Sequence, residues 1–173
     1  MRAKGVILIL MCALFSNTSC NNNKKVGNRA YNLMLKTLLT RDVEEVDVEE
    51  ASKLNDVVYL DAREKEEYDV SHIKDAIWVG YKDYDSSRVS NIPKDKKIIV
   101  YCSVGKRSED ITRKMMQSGY TDIDNLYGGI FEWINRGKKV YNDSGLTTKI
   151  HAYNKTWGVW VRKGEKVYNA NNT

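Results

Sequence analysis

Two four-residue runs without a polar interruption, Val57-Val58-Tyr59-Leu60 and Ile98-Ile99-Val100-Tyr101, constrain this chain more than any other feature. Unbroken runs rich in β-branched and aromatic residues suit strands covered on both faces, the condition of a parallel sheet lying between layers of helix. Helix-like segments separate the two runs, as a parallel connection requires. Each run ends on a residue with chemistry of its own: Asp61 follows the first and Cys102 the second. Parallel strands bring both to one sheet edge, and open α/β sheets bind ligands outside that carboxyl edge.

The segment after Cys102 reads Ser103-Val104-Gly105-Lys106-Arg107-Ser108. A tight loop that turns successive backbone N–H groups inward ahead of a helix forms a concavity for an anion. A thiol at the base of that concavity, beside Lys106 and Arg107, is favoured as thiolate, the reactive form of cysteine. Gly105 supplies a positive φ for the bend. Ser108 is a good N-cap, so the helix is expected to start near it and to stop at Gly119. Glu109 and Asp110 would oppose the positive field of that helix start if their side chains turned inward. Cys102 read as a plain buried apolar residue explains none of this basic, glycine-containing setting.

At 173 residues and 42% apolar content the chain is sized for one core. Residues 1–20 stand outside it: Arg2 and Lys4 precede an apolar stretch from Gly5 to Phe15, then Ser16-Asn17-Thr18-Ser19 and Cys20, the layout of a secretory signal too short to span a bilayer. This segment resembles the signal of bacterial lipoproteins, which implies lipid on Cys20 and an exported protein of the cell envelope or periplasm; Asn17 stands where an aliphatic residue is usual. With Cys12 removed and Cys20 lipidated, Cys102 is the remaining thiol and no internal disulfide forms. Residues 21–44 read as a polar tether followed by a helix carrying Tyr31, Met34, Leu35, Leu38 and Leu39 on one face. A brief strand at Val46 to Val48 and a helical turn near Leu54 follow.

Five ordered segments make residues 45–139 similar to the rhodanese family of sulfurtransferases. They are Asp61-Ala62-Arg63, Glu66-Glu67-Tyr68, His72-Ile73-Lys74-Asp75-Ala76, the loop from Cys102 to Ser108, and Tyr127-Gly128-Gly129-Ile130-Phe131-Glu132-Trp133. Ser71 and Asp75 replace glycines that usually flank the His-Ile pair. The resemblance implies a doubly wound, mostly parallel five-stranded sheet with helices on both faces. In the family's sulfurtransferases the loop has six residues, and in the related phosphatases it is one longer; Cys102 through Arg107 is six. Sulfur transfer through a Cys102 persulfide is therefore implied, with phosphoester or arsenate chemistry the weaker reading.

The residue roles follow from that reading. Cys102 is the nucleophile, and Ser103, Val104, Gly105, Lys106, Arg107 and Arg63 bind the substrate anion. Asp61, His72 and Ser108 give structural support, with Asp61 and Arg63 also readable as an internal ion pair. Gly128, Gly129 and Trp133 read as a turn and a core anchor. Two histidines and one mature cysteine make no metal cluster, and no glycine-rich nucleotide loop calls for a cofactor.

Residues 140–173 are expected to form a small β extension, with strand-like content at Leu146 to Tyr153 and Trp157 to Arg162 and turns at Asn142-Asp143-Ser144-Gly145 and Lys163-Gly164. From Lys138 onward the chain carries net charge +5 against −2 for residues 21–137. Its aromatic residues, Tyr141, Tyr153, Trp157, Trp160 and Tyr168, either dock on a protein partner or anionic lipid, or pack inward over a sheet edge; the inward reading is the simpler. Nucleic acid is not an expected partner of an exported protein. Two functional classes stand. One is an enzyme moving sulfane sulfur from thiosulfate or a persulfide to a thiol or cyanide. The other is a module that carries persulfide, senses oxidants or binds a partner without turnover.

Overall fold

The computed structural model describes residues 26–168, so the signal segment, Cys20 and the start of the tether lie outside the described residues. Ten residues of helix, α1 (Arg29–Leu38), begin where Asn28 Oδ1 accepts from the Tyr31 amide at 2.9 Å. Its apolar face buries Tyr31 and Leu35. β1 (Glu45–Val46) leads directly into α2 (Val48–Ala51), capped by Asp47. The expected helical turn therefore comes before Leu54, because Asp47 accepts from the Glu50 amide and starts it early.

β2 (Val58–Asp61), α3 (Lys65–Val70), β3 (Ile77–Trp78), a 3₁₀ turn at Ser86–Val89, β4 (Ile98–Tyr101), α4 (Lys106–Gln117), β5 (Ile123–Leu126) and α5 (Gly129–Asn135) complete the central unit. Its sheet has five strands in the order β1-β5-β4-β2-β3, and every adjacent pair is parallel. Both apolar runs are in it as neighbours: Val58 pairs with Ile98 and Asp61 with Tyr101. The period of two along a strand sorts β4 between two cores. Ile99 and Tyr101 join Tyr31, Leu35 and the apolar residues of α5 on one face, whereas Ile98 and Val100 join Ile111 and Met115 of α4 on the other.

The C-terminal extension is only partly strand. β6 (Val140–Asn142) and β7 (Gly145–Thr147) form an antiparallel hairpin, and β8 (Lys149–His151) pairs in parallel with β9 (Glu165–Val167). Trp157 to Arg162 is not a strand: α6 (Lys155–Gly158) starts where Asn154 Oδ1 accepts from the Trp157 amide, and turns follow it. A local Asx cap outcompeted the β preference of the tryptophans. Reciprocal backbone bonds at 2.8 Å between His72 and Tyr141 tie the hairpin to the central sheet's connection. Trp157, Trp160 and Tyr168 pack against the core, with Trp160 stacked on Tyr31 at 5.1 Å between ring centres. These aromatics cover the domain. Among the described residues no helix is long and apolar enough to cross a membrane.

Candidate active site

Cys102 is the first residue after β4, and its side chain is turned into the bend that follows. The Gly105 amide donates to its Sγ at 3.1 Å. Gly105 holds φ at +115°, which side chains rarely adopt, and it caps α4, which begins at Lys106. The expected start at Ser108 is thus corrected by two residues. A left-handed glycine closes the turn without a side-chain cap, and Ser108 lies inside the helix with its hydroxyl on Asn125 Oδ1 at 2.6 Å. Asn125 Nδ2 in turn donates to the Gly105 carbonyl at 3.0 Å. The first amides of α4 lack intrahelical acceptors and put a positive end at the loop.

What turns the loop's amides inward comes from a distant stretch of chain. The carbonyls of Cys102 and Ser103 accept from the Ile130 amide at 2.9 Å and the Phe131 amide at 3.1 Å. In a planar trans peptide the N–H points opposite to the C=O. Anchoring those two carbonyls on the start of α5 therefore directs the Ser103 and Val104 amides away from α5. Gly129 permits this approach: with φ at +56°, a Cβ there would meet the Cys102 carbonyl oxygen at 2.3 Å. Gly129, expected only as part of a turn, is a support of the active loop.

The two ends of the loop's charge are taken up internally. Arg107 donates to Glu67 Oε2 at 2.6 Å, to Glu67 Oε1 at 2.8 Å and to Ser103 Oγ at 2.9 Å. Ser103 Oγ donates to Glu67 Oε1 at 2.9 Å. Burial works against the charge of Glu67, yet its bonds to Arg107 and Ser103 with the fields of Arg107 and Arg63 hold its carboxyl down to about 2. Burial likewise opposes the charge on Arg107, and the Glu67 bonds with the field of Cys102 outweigh it and raise its pKa. Lys106 pairs with Glu109 at 2.8 Å. Glu109 is buried and faces Lys106 and the Arg41 amide, which donates to its Oε1 at 2.6 Å.

Arg63 does not face this hollow. It is fully buried, with Nε 2.9 Å from Asp61 Oδ1 and Nη2 2.6 Å from Asp61 Oδ2, and Nη2 also donates to the Ser71 carbonyl. Its assignment to substrate binding is corrected: a carboxylate two residues away captured the guanidinium in a bidentate pair. His72 stacks on Tyr68 at 4.0 Å, and its Nδ1 donates to the Tyr68 carbonyl at 3.1 Å. That geometry is structural.

A pocket of about 170 Å³ opens above Cys102, with Ser103, Lys106 and Arg107 on its rim. Its apolar walls are Val104 of the loop, Leu38 of α1, and Tyr153 and Trp157 of the C-terminal extension. The last three lie outside the five matched motifs, and no sequence signal linked them to Cys102. Glu67 stood within a motif without a role. Among the described residues no group of three or more His, Cys, Asp or Glu could hold a metal ion.

Known proteins resemble this chain in sequence and in fold. A protein named Sulfurtransferase from Allochromatium vinosum is 34% identical over 107 residues, 60% of this chain and 99% of that protein. The tRNA uridine(34) hydroxylase of Bacillus cereus (strain Q1) is 36% identical over 96 residues, but this chain spans only 29% of its length. A solved thiosulfate sulfurtransferase from Pseudomonas aeruginosa shares the fold, with a TM-score of 0.54 at 22% identity over 70% of this chain and 24% of that one. The family model described as the rhodanese-like domain matches residues 45–136, more than half of the sequence, and with that span the chain belongs to the rhodanese-like family.

Proposed function

We propose that the protein is a sulfurtransferase in which Cys102 thiolate accepts a sulfane sulfur and passes it on. The observation that carries this reading is the Sγ of Cys102 held by the Gly105 amide at the floor of an open pocket. Attack on the outer sulfur of thiosulfate forms a sulfur–sulfur bond to Cys102 and breaks the one to the sulfonate sulfur. Sulfite leaves with the electron pair, and Cys102 persulfide remains as its anion. Cyanide or a thiolate then takes the terminal sulfur, giving thiocyanate or a new persulfide and restoring the thiolate. Splitting one transfer into two is the advantage of a covalent intermediate.

The amides from Ser103 to Arg107 stabilise the persulfide anion, and Lys106 and Arg107, each paired with a carboxylate, line the pocket that the donor enters. A preorganised donor aimed at developing charge is worth about 3 kcal/mol in a well-studied hydrolase. Purified protein assayed for thiocyanate from thiosulfate and cyanide tests the reading, with Cys102→Ser expected to show none. Cys102 is only 1% exposed, which favours a second reading as a carrier that shelters its persulfide. Intact mass separates the two: one added sulfur without turnover identifies the carrier.

The sequence from Met1 to Cys20 supports an exported, lipid-anchored protein of the cell envelope. Cys20→Ser is expected to release it from the membrane fraction; an unchanged fraction rejects the anchor.

A further inference from the structure

Another cavity, of about 290 Å³, opens at the end of α1 remote from the thiol pocket. Gly27 and Asn28 at the start of that helix line it, with Glu132 and Arg136 from α5 and its cap, and Arg162 and Lys163 from the C-terminal extension. Leu38, at the other end of α1, lines the thiol pocket. A helix of ten residues rises about 15 Å, so the two cavities stand well apart.

The carboxylates at this end are already engaged. Glu132 is buried, and its Oε1 accepts from the Gly27 amide at 2.7 Å and from Arg136 Nε at 2.6 Å. Glu49 is shared by Arg136 at 3.9 Å and Lys138 at 3.7 Å. Arg162 and Lys163 have no ion-pair partner among the described residues, and the next charges along the chain, Glu165 and Lys166, offset each other. Two positive charges are left over. They are also held in advance: the Arg162 and Lys163 amides donate to Asn135 Oδ1 at 2.7 and 3.2 Å, and Asn135 Nδ2 donates to the Trp160 carbonyl at 2.8 Å. Gly164 presses this turn onto α5, since at φ +91° a Cβ there would meet Ile134 Cδ1 at 2.6 Å. Backbone fixed in this way adds no ordering cost when an anion binds.

The length of chain leading to this end identifies the surface it meets. Six residues, Asn21 to Val26, separate Cys20 from Gly27, and fully extended they reach about 25 Å at most. With lipid on Cys20, phosphate headgroups lie within that reach of the cavity. Resting on the lipid-anchor reading of Cys20, we propose that the cavity binds the phosphate of an anionic phospholipid headgroup through Arg162, Lys163 and the Arg136 guanidinium. Arginine forks match phosphate oxygens in pairs. A domain held by this end carries its thiol pocket at the far end of α1, away from the bilayer. Contact through a few cations is reversible, so the site orients an anchored domain and does not replace the anchor.

The test uses the chain from Asn21 to Thr173, which lacks lipid and keeps every described residue. It is sedimented at low salt with vesicles of phosphatidylcholine alone and of phosphatidylcholine mixed with phosphatidylglycerol. We expect binding to the anionic vesicles to be at least tenfold tighter. Arg162→Gln combined with Lys163→Gln should weaken it at least tenfold, since each cation beside such a surface contributes roughly fivefold. Lys94→Gln combined with Lys114→Gln removes the same charge from the layer on the other face of the sheet, where these lysines stand over Tyr120 and Tyr84, and should weaken binding less than threefold. Equal losses in the two double variants, or equal binding to the two kinds of vesicle, overturn the proposal. Calorimetric binding of inorganic phosphate without vesicle binding also overturns it and makes the ligand a free anion. Failure of the anchor is read separately, from the membrane fraction of Cys20→Ser. Vesicle binding that persists after such a failure keeps the headgroup site and removes only the lipid.

Discussion

β2 and β4 lie side by side and end in register, yet their carboxyl ends have opposite fates. At the end of β2, Asp61 and Arg63 close on each other with both side chains fully shielded from water. At the end of β4, Cys102 is buried by its own loop but faces a pocket. The edge of an open α/β sheet is where ligands bind, but the edge alone does not make a site. Asp61 has a cation within two residues and no glycine to lift the chain away. Cys102 is followed by Gly105 and by carbonyls anchored on α5, so its loop stays open.

The sharpest way to break this comparison is to remove half of the sealed end. Arg63→Ala leaves the Asp61 carboxylate buried without its partner, a change that costs about 3–5 kcal/mol in comparable pairs. Urea unfolding should show that loss. A loss below about 1 kcal/mol would mean the pair is not sealed.

Glu67 links the two ends, being near Arg63 and bonded to Arg107. Its folded pKa, about 2, lies below its unfolded value of about 4.3, so the stability it provides is present above the unfolded value and fades as pH falls towards about 2. At about 1.4 kcal/mol per unit the contribution is about 3 kcal/mol near neutral pH. Stability measured from pH 6 to 2 should drop over that window in the natural protein and be much flatter in Glu67→Gln.

Gly129→Ala tests the open end. The added carbon would meet the Cys102 carbonyl, so the loop must shift or the start of α5 must move. We expect at least a tenfold loss of sulfur transfer with a stability loss of about 1–2 kcal/mol. Full activity in a folded variant would remove α5 from the support of the loop. The smallest effect is expected at the exposed pair of Lys65 and Asp69, each about half exposed. Lys65→Ala should change unfolding stability by less than about 0.5 kcal/mol.

Much of the fold was legible because the two apolar runs carry their burial in their composition: four residues without a polar interruption fit one environment. The loop was legible for the same local reason, since a thiol, a glycine and two cations fall within six residues. Arg63 was misplaced because its two open roles, donor contact and ion pair, differ only in side-chain direction. The strand expected at Trp157 to Arg162 gave way to α6 because Asn154 caps a helix there, a bond that tryptophan's β preference does not register. Glu67 acts across 36 and 40 residues of chain, on Ser103 and Arg107, and Gly129 lies far along the chain from the Cys102 carbonyl that it lets approach.

By itself the sequence determined the parallel sheet, the edge on which the chemistry sits, and the thiol that sits there, because periodicity and adjacency are properties of neighbouring residues. Only the tertiary structure decided which charges are spent on each other, which carbonyls turn the loop's amides inward, and that Leu38, Tyr153 and Trp157 wall the pocket. Those contacts join segments far apart in the chain, and their geometry exists only once both faces of the sheet and the C-terminal extension have packed.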